Sequence, residues 1–193
     1  MNNPHRFSDV SKNYLCTFYG ILDNMIRGMT EAELTDSIPH NFIVQMIPHH
    51  QAAIDMGNNI LRYTTCVDLQ DIASRIVAEQ TRSIENMRKI EPCCDEFRNS
   101  RQDLCVYQHR VNQILQTMFA DMRNALATNR IDCDFMREML PHHRGAVELS
   151  TNALGYPLCP SLKPILEAII TSQRRGIVQM QNLMHRIGCP GPF

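Results

Sequence analysis

The sequence predicts an all-α protein, a helical bundle made of two tandem three-helix repeats within a single domain spanning residues 1–193. Three observations lead there. Apolar residues recur at spacings of three and four along most of the chain, the signature of a helix with one buried face. No stretch shows the strict alternation of a strand. The chain also matches itself without gaps at one constant offset, the offset that carries His49 onto His142. Such self-similarity identifies a duplicated structural unit and takes precedence over local propensity. The repeats cover residues 4–96 and 97–189, and a pseudo-twofold arrangement of the two is expected.

The elements follow in order. The first helix carries Tyr14, Phe18, Ile21, Leu22, Met25 and Met29 on one face. The second begins near Thr35–Ser37, where hydroxyl and carboxylate side chains offer a cap. It contains Phe42, Ile43, Met46, a Pro-His-His element, Ile54 and Leu61. The third runs from about Asp68 to Ile90 with Leu69, Ile72, Ile76, Ile84 and Met87 inward. The second repeat gives the same pattern, with Tyr107, Ile114, Met118 and Met122 in its first helix. Asp132 or Asp134 is the expected cap of its second. Pro48 and Pro141 fall inside helical patterns, where a proline costs ~3 kcal/mol and usually kinks the helix. Its presence at matching positions implies a use, such as aiming the next two side chains into the bundle.

Composition narrows the function. Apolar residues make up 44% of the chain and the formal net charge is -1, with basic residues scattered. Nucleic-acid binders concentrate basic charge on one face, so no nucleic-acid partner is expected. No apolar run approaches the ~18 residues of a membrane span. The segment Met1–Val10 is polar and lacks the apolar core of a secretory signal, so a cytoplasmic location is expected.

The two copies of Met-x-Pro-His-His carry the chemistry. Consecutive helical residues project about 100° apart, so His49 and His50 flank a direction. Met46 lies three and four residues before them and neighbours both. Met139, His142 and His143 repeat the arrangement. Imidazole with thioether, and no carboxylate, favours a soft ion: Cu(I), or its mimic Ag(I), ahead of Mg²⁺ or Ca²⁺. Met87, Met180, Gln80 and Gln173 lie on third-helix faces from which they would complete or orient a site. A lone histidine on an apolar helix is more often a hydrogen-bonded core residue, and a duplication copies structural residues too. The pairing and its repetition make metal the stronger reading. For Met25, Met29, Met118 and Met122 core packing is expected.

The eight cysteines contain no Cys-x-x-Cys pair, which excludes a zinc knuckle on spacing. Reduced thiols are expected in a chain of this length without a signal. They would serve as buried small hydrophobes, as soft-metal ligands, or as redox pairs. Only Cys66 and Cys159 match across the repeat, so these two join the candidates for additional ligands. An up-down-up course would put Cys16 with Cys66 and Cys105 with Cys159 at one end, and Cys93, Cys94, Cys133 and Cys189 at the other. His5, His40, His109 and His185 have no counterpart and are read as surface residues.

The stretch Met46-Ile-Pro-His-His-Gln-Ala-Ala-Ile-Asp-Met56 and its copy Met139-Leu-Pro-His-His-Arg-Gly-Ala-Val-Glu-Leu149 resemble the signature of the bacterial family called domain of unknown function 305. The resemblance covers residues 36–92 and 130–186. It implies a ferritin-like bundle and, from members linked to copper or silver, metal binding at His49, His50, His142 and His143 with Met46 and Met139 beside them. Two departures stand out. The family's acidic residue three positions after the glutamine is Ser83 in one repeat and Gly176 in the other, which counts against a carboxylate-bridged metal pair. Many relatives are exported, whereas this chain shows no signal.

The leading expectation is a non-enzymatic protein that sequesters or buffers a soft metal ion, most plausibly copper. A ferritin-like metal-dependent oxidase is the rival enzyme, and a metal-free structural or partner-binding bundle is the third reading. No nucleophile motif or phosphate loop supports other catalysis. Assembly into a homo-oligomer is left open.

Overall fold

The computed structural model describes residues 7–189, which form six helices. They are α1 (Asp9–Thr30), α2 (Ile38–Leu61), α3 (Val67–Asp95), α4 (Arg101–Arg123), α5 (Ile131–Leu154) and α6 (Lys163–Arg186). The all-α expectation holds, and no strand occurs among the described residues. The repeat limits of residues 4–6, and His5, lie outside the described residues.

Serine hydroxyls start three of the helices. Ser8, Ser37 and Ser100 accept from the backbone N–H of Ser11, His40 and Asp103 at 3.0, 3.2 and 3.1 Å. Each satisfies a donor that the helix leaves unpaired, worth about 1 kcal/mol. The expectation for α5 is corrected. Its first residue is Ile131, so Asp132 and Asp134 fall within the first turn and neither caps the helix. The Asp134 carboxylate is taken instead by the Thr128 backbone and hydroxyl and by Arg137 at 3.1 Å. At the far end of the same repeat, the Arg130 guanidinium donates to the carbonyls of Ile187 and Gly188. A cation there meets the negative end of α6.

Helices α2 and α5 meet at the centre; α1 and α3 pack on α2, α4 and α6 pack on α5, and α3 lies along α6. Their central place explains their composition. In α5 every residue from Cys133 to His143 is buried, which only a helix surrounded on all sides shows. Both helices run through their prolines. At Pro48 the ring is covered by α1, where a Cβ on Gly28 would fall 2.7 Å from the proline Cβ. Glycine there permits the close crossing.

Helices α3 and α6 run antiparallel. Arg175 pairs with Glu79 at 2.5 Å and Arg186 with Asp68 at 3.0 Å, so the end of α6 lies beside the start of α3. This corrects the cysteine reading. Cys94, at the end of α3, is bonded to Cys159, just before α6, and Cys133 is bonded to Cys189. Four of the eight cysteines are therefore paired; Cys16, Cys66, Cys93 and Cys105 are free. The expected gathering of Cys94 with Cys133 and Cys189 fails because α6 runs antiparallel to α3. His109 and His185 are exposed as read, while His40 is half-buried against Asp95 at 3.3 Å.

Candidate metal centre

The two motifs meet at the middle of the bundle. His49 and His142 stack with ring centroids 3.7 Å apart. His49 Nε2–H donates to the backbone carbonyl of His142 at 3.2 Å, and His142 Nε2–H returns the bond to His49 at 3.0 Å. A carbonyl oxygen only accepts, so in each neutral ring the proton sits on Nε2. Nδ1 then carries a bare lone pair. In both rings Nδ1 is buried and has no hydrogen-bond partner.

His50 and His143 stand outside this stack, 5.8 and 6.0 Å from the neighbouring histidine centroids. His50 Nε2 lies 3.0 Å from the Ser83 hydroxyl of α3. His143 lies against Gly176 of α6, where a Cβ would fall 2.7 Å from its Nε2. The Nδ1 atoms of His50 and His143 are likewise buried without a partner. Most buried polar atoms in folded proteins are satisfied, so four such nitrogens in one centre call for an explanation.

Burial holds all four rings neutral. It pushes His50 down to about 3 and His142 to about 4, and sets His49 and His143 well below the usual imidazole range. For His49, His50 and His143 neighbouring rings add to the effect. A consequence for stability follows. In the unfolded chain these histidines titrate near 6.5, so below that value the unfolded state takes up protons that the folded state refuses. Stability of the metal-free protein falls as pH drops from about 6.5 to about 4. Burial raises Glu138 and Asp134, which act in the opposite sense, but four imidazoles outnumber two carboxyls. The urea midpoint measured across that range is expected to fall steadily with acid.

The other candidate residues are placed as follows. Met46, Met139, Met87 and Met180 are all buried in the core. Gln80 and Gln173 are buried with Oε1 unpartnered. Cys66 is a free, half-buried thiol beside Tyr63 and Ile187, at the α3 start and α6 end of the bundle. Cys159 is withdrawn as a ligand because its sulfur is bonded to Cys94. Among the described residues no three His, Cys, Asp or Glu side chains converge as a ligand group. The donors that remain are imidazole Nδ1 and thioether sulfur, a set suited to a soft cation. On that chemistry the residues fit the metal the motif implies.

Sequence reading missed one buried acid. Glu138, one turn before His142, accepts from the Tyr14 hydroxyl at 2.5 Å, and burial raises its carboxyl well above the usual range. Its only signal is position, since it shares the helical phase of His142 and falls on Gln45 of the first repeat.

Residues 23–91 and 39–184 match the profile of Domain of unknown function (DUF305). The chain belongs to this family. Among solved structures, this DUF305 chain is similar to CopM in the Ag-bound form, obtained by soaking. Identity is 26% and the TM-score 0.57, with 80% of this chain and 98% of that one covered. A DUF305 fragment from Deinococcus radiodurans has 20% identity and a TM-score of 0.57, over 77% of this chain and 96% of that one. That second likeness is one of fold. No curated protein matches significantly. Among the described residues no helix is long and apolar enough to cross a membrane.

Proposed function

We propose that this DUF305 protein binds a soft monovalent cation, copper(I) or silver(I), at the centre between α2 and α5, and serves to sequester or buffer it. The observation that carries the reading is the protonation pattern of the central pair. Each Nε2–H is held by a carbonyl of the opposite helix, which leaves each Nδ1 as a buried, unpartnered donor. Fixing one imidazole nitrogen by a hydrogen bond is how proteins present the other to a metal. Neutrality of the rings serves the same end, because a protonated imidazole cannot ligate.

His50 and His143 extend the donor set, with Met46 and Met139 one turn earlier on the same helices. Met87, Met180, Gln80 and Gln173 are the outer candidates. The silver in the CopM structure supports a soft cation for this chain as well. An oxidase with a carboxylate-bridged metal pair is less well supported. The buried carboxylates Glu138 and Asp134 are engaged by Tyr14, Thr128 and Arg137.

Metal analysis tests the reading. The free thiols are alkylated first, since thiolates are themselves soft ligands. The protein is then loaded anaerobically with copper(I) and desalted. The parent is expected to retain copper, and a variant with His49, His50, His142 and His143 all changed to leucine is expected to retain none. Leucine keeps the core filled, and circular dichroism checks the fold. Equal copper on both would refute the assignment.

A further inference from the structure

All four motif histidines are buried, but His50 also lines a surface pocket. A pocket of about 400 Å³ opens between α3 and α6. Gln80 and Ser83 line it from α3, Ala168 and Ser172 from α6, and His50 of α2 lies at its floor. The His50 ring is itself 0% exposed, and its Nε2 is bonded to Ser83 Oγ. The Ser83 hydroxyl on the pocket wall is thus the group bonded to the ring. Gln80, 4% exposed and on the same wall, has an Oε1 without a partner. The Glu79–Arg175 ion pair ties the two walls together at 2.5 Å, and Arg82 adds one further cation to the lining.

The second repeat is built differently at the equivalent place. Gly176 stands where the first repeat has Ser83. The His143 ring occupies the space a side chain would need, since a Cβ on Gly176 would lie 2.7 Å from Nε2 and 2.8 Å from Cδ2. A hydroxyl moves aside by rotation about one bond between staggered positions. His143, 2% exposed, has no hydroxyl at this place and is not among the residues lining that pocket.

We propose that the α3–α6 pocket is the access route to the histidine centre, with the Ser83 hydroxyl as its gate and His50 as the first residue reached. A soft cation passes the Gln80 amide oxygen and the Ser83 hydroxyl, both uncharged, before meeting an imidazole. The stacked pair His49 and His142, both 0% exposed, is reached through the centre behind His50. The identity of the cargo rests on the function proposed above; the accessibility of His50 does not.

Diethylpyrocarbonate, which acylates accessible neutral imidazoles, reads this directly on the metal-free full chain, with peptide mass spectrometry to assign each histidine. His50 is expected to react about tenfold or more faster than His142. Ser83→Ala removes the gate and speeds His50 further. Ala168→Trp, at an exposed helical position on the pocket wall, fills the pocket and slows His50 to the rate of His142. The same variant is expected to take up silver more slowly to an unchanged final amount. Equal rates for His50 and His142 in the parent, or a His50 rate indifferent to Ala168→Trp, would overturn the proposal. Protection of His50 in a protein that takes up no silver would uphold the access route and remove the metal function alone.

Discussion

Replacing Cys94 and Cys159 by alanine is expected to lower the unfolding free energy by about 4 kcal/mol. The bridge joins positions 65 residues apart and ties the end of α3 to the start of α6 across the two repeats. Its main effect lies in the unfolded chain, where a closed loop of this length removes many conformations. The Cys133–Cys189 bridge closes a separation of 56 residues within the second repeat, so its removal is expected to cost about the same. Each loss is a large share of the roughly 5–15 kcal/mol that ordinarily separates folded from unfolded domains, about a quarter of it or more. Urea unfolding with and without reductant measures the effect. The parent should lose stability in reductant, and a variant lacking both bridges should be indifferent to it. Equal stability of parent and Cys94→Ala/Cys159→Ala would show that the bridge does not constrain the chain.

Silver is expected to act in the opposite direction. A ligand that binds only the folded state stabilises it by about 4 kcal/mol at a free concentration about a thousand times Kd. The centre exists only when α2 and α5 are packed, because its donors come from both helices. Silver should therefore raise the urea midpoint of the alkylated parent and leave that of the His49→Leu/His142→Leu variant where it was. Alkylation matters because Cys16, Cys93 and Cys105 are exposed and would bind silver in the folded and unfolded chain alike. A parent midpoint unmoved by silver would argue against a site between these helices.

The all-α architecture of six helices is legible in the sequence from its apolar spacing. The Met46–His50 stretch and its copy at Met139–His143 identify the two central helices, and the apolar spacing around them identifies the flanking four. Ser37 at the start of α2 is read correctly from its hydroxyl. What fails depends on how the repeats pack, which spacing within one repeat does not encode. The antiparallel course of α3 and α6 brings Cys94 to Cys159, so the bridge appears only once the second repeat is placed against the first. The same is true of Glu138 and Tyr14, which meet across helices of different repeats. The match of Cys66 with Cys159 misled for a related reason. Equivalent positions in two repeats share a local place, but their partners need not be equivalent, and only Cys159 has a cysteine facing it.

The sequence also foresees Ser83 and Gly176 as departures from the family pattern, though not their consequence. Their difference becomes physical only when His50 is seen bonded to one and His143 pressed on the other. Two copies of one motif are thereby given unequal surroundings.

Nitrogen-15 spectra of the histidine rings, recorded on alkylated protein before and after one equivalent or more of silver(I), test the central claim most directly. In the metal-free protein His49 and His142 should be neutral with the proton on Nε2, and silver should shift their Nδ1 resonances while each Nε2–H stays in place. Rings that carry the proton on Nδ1, or Nδ1 resonances unmoved by silver, would contradict the account.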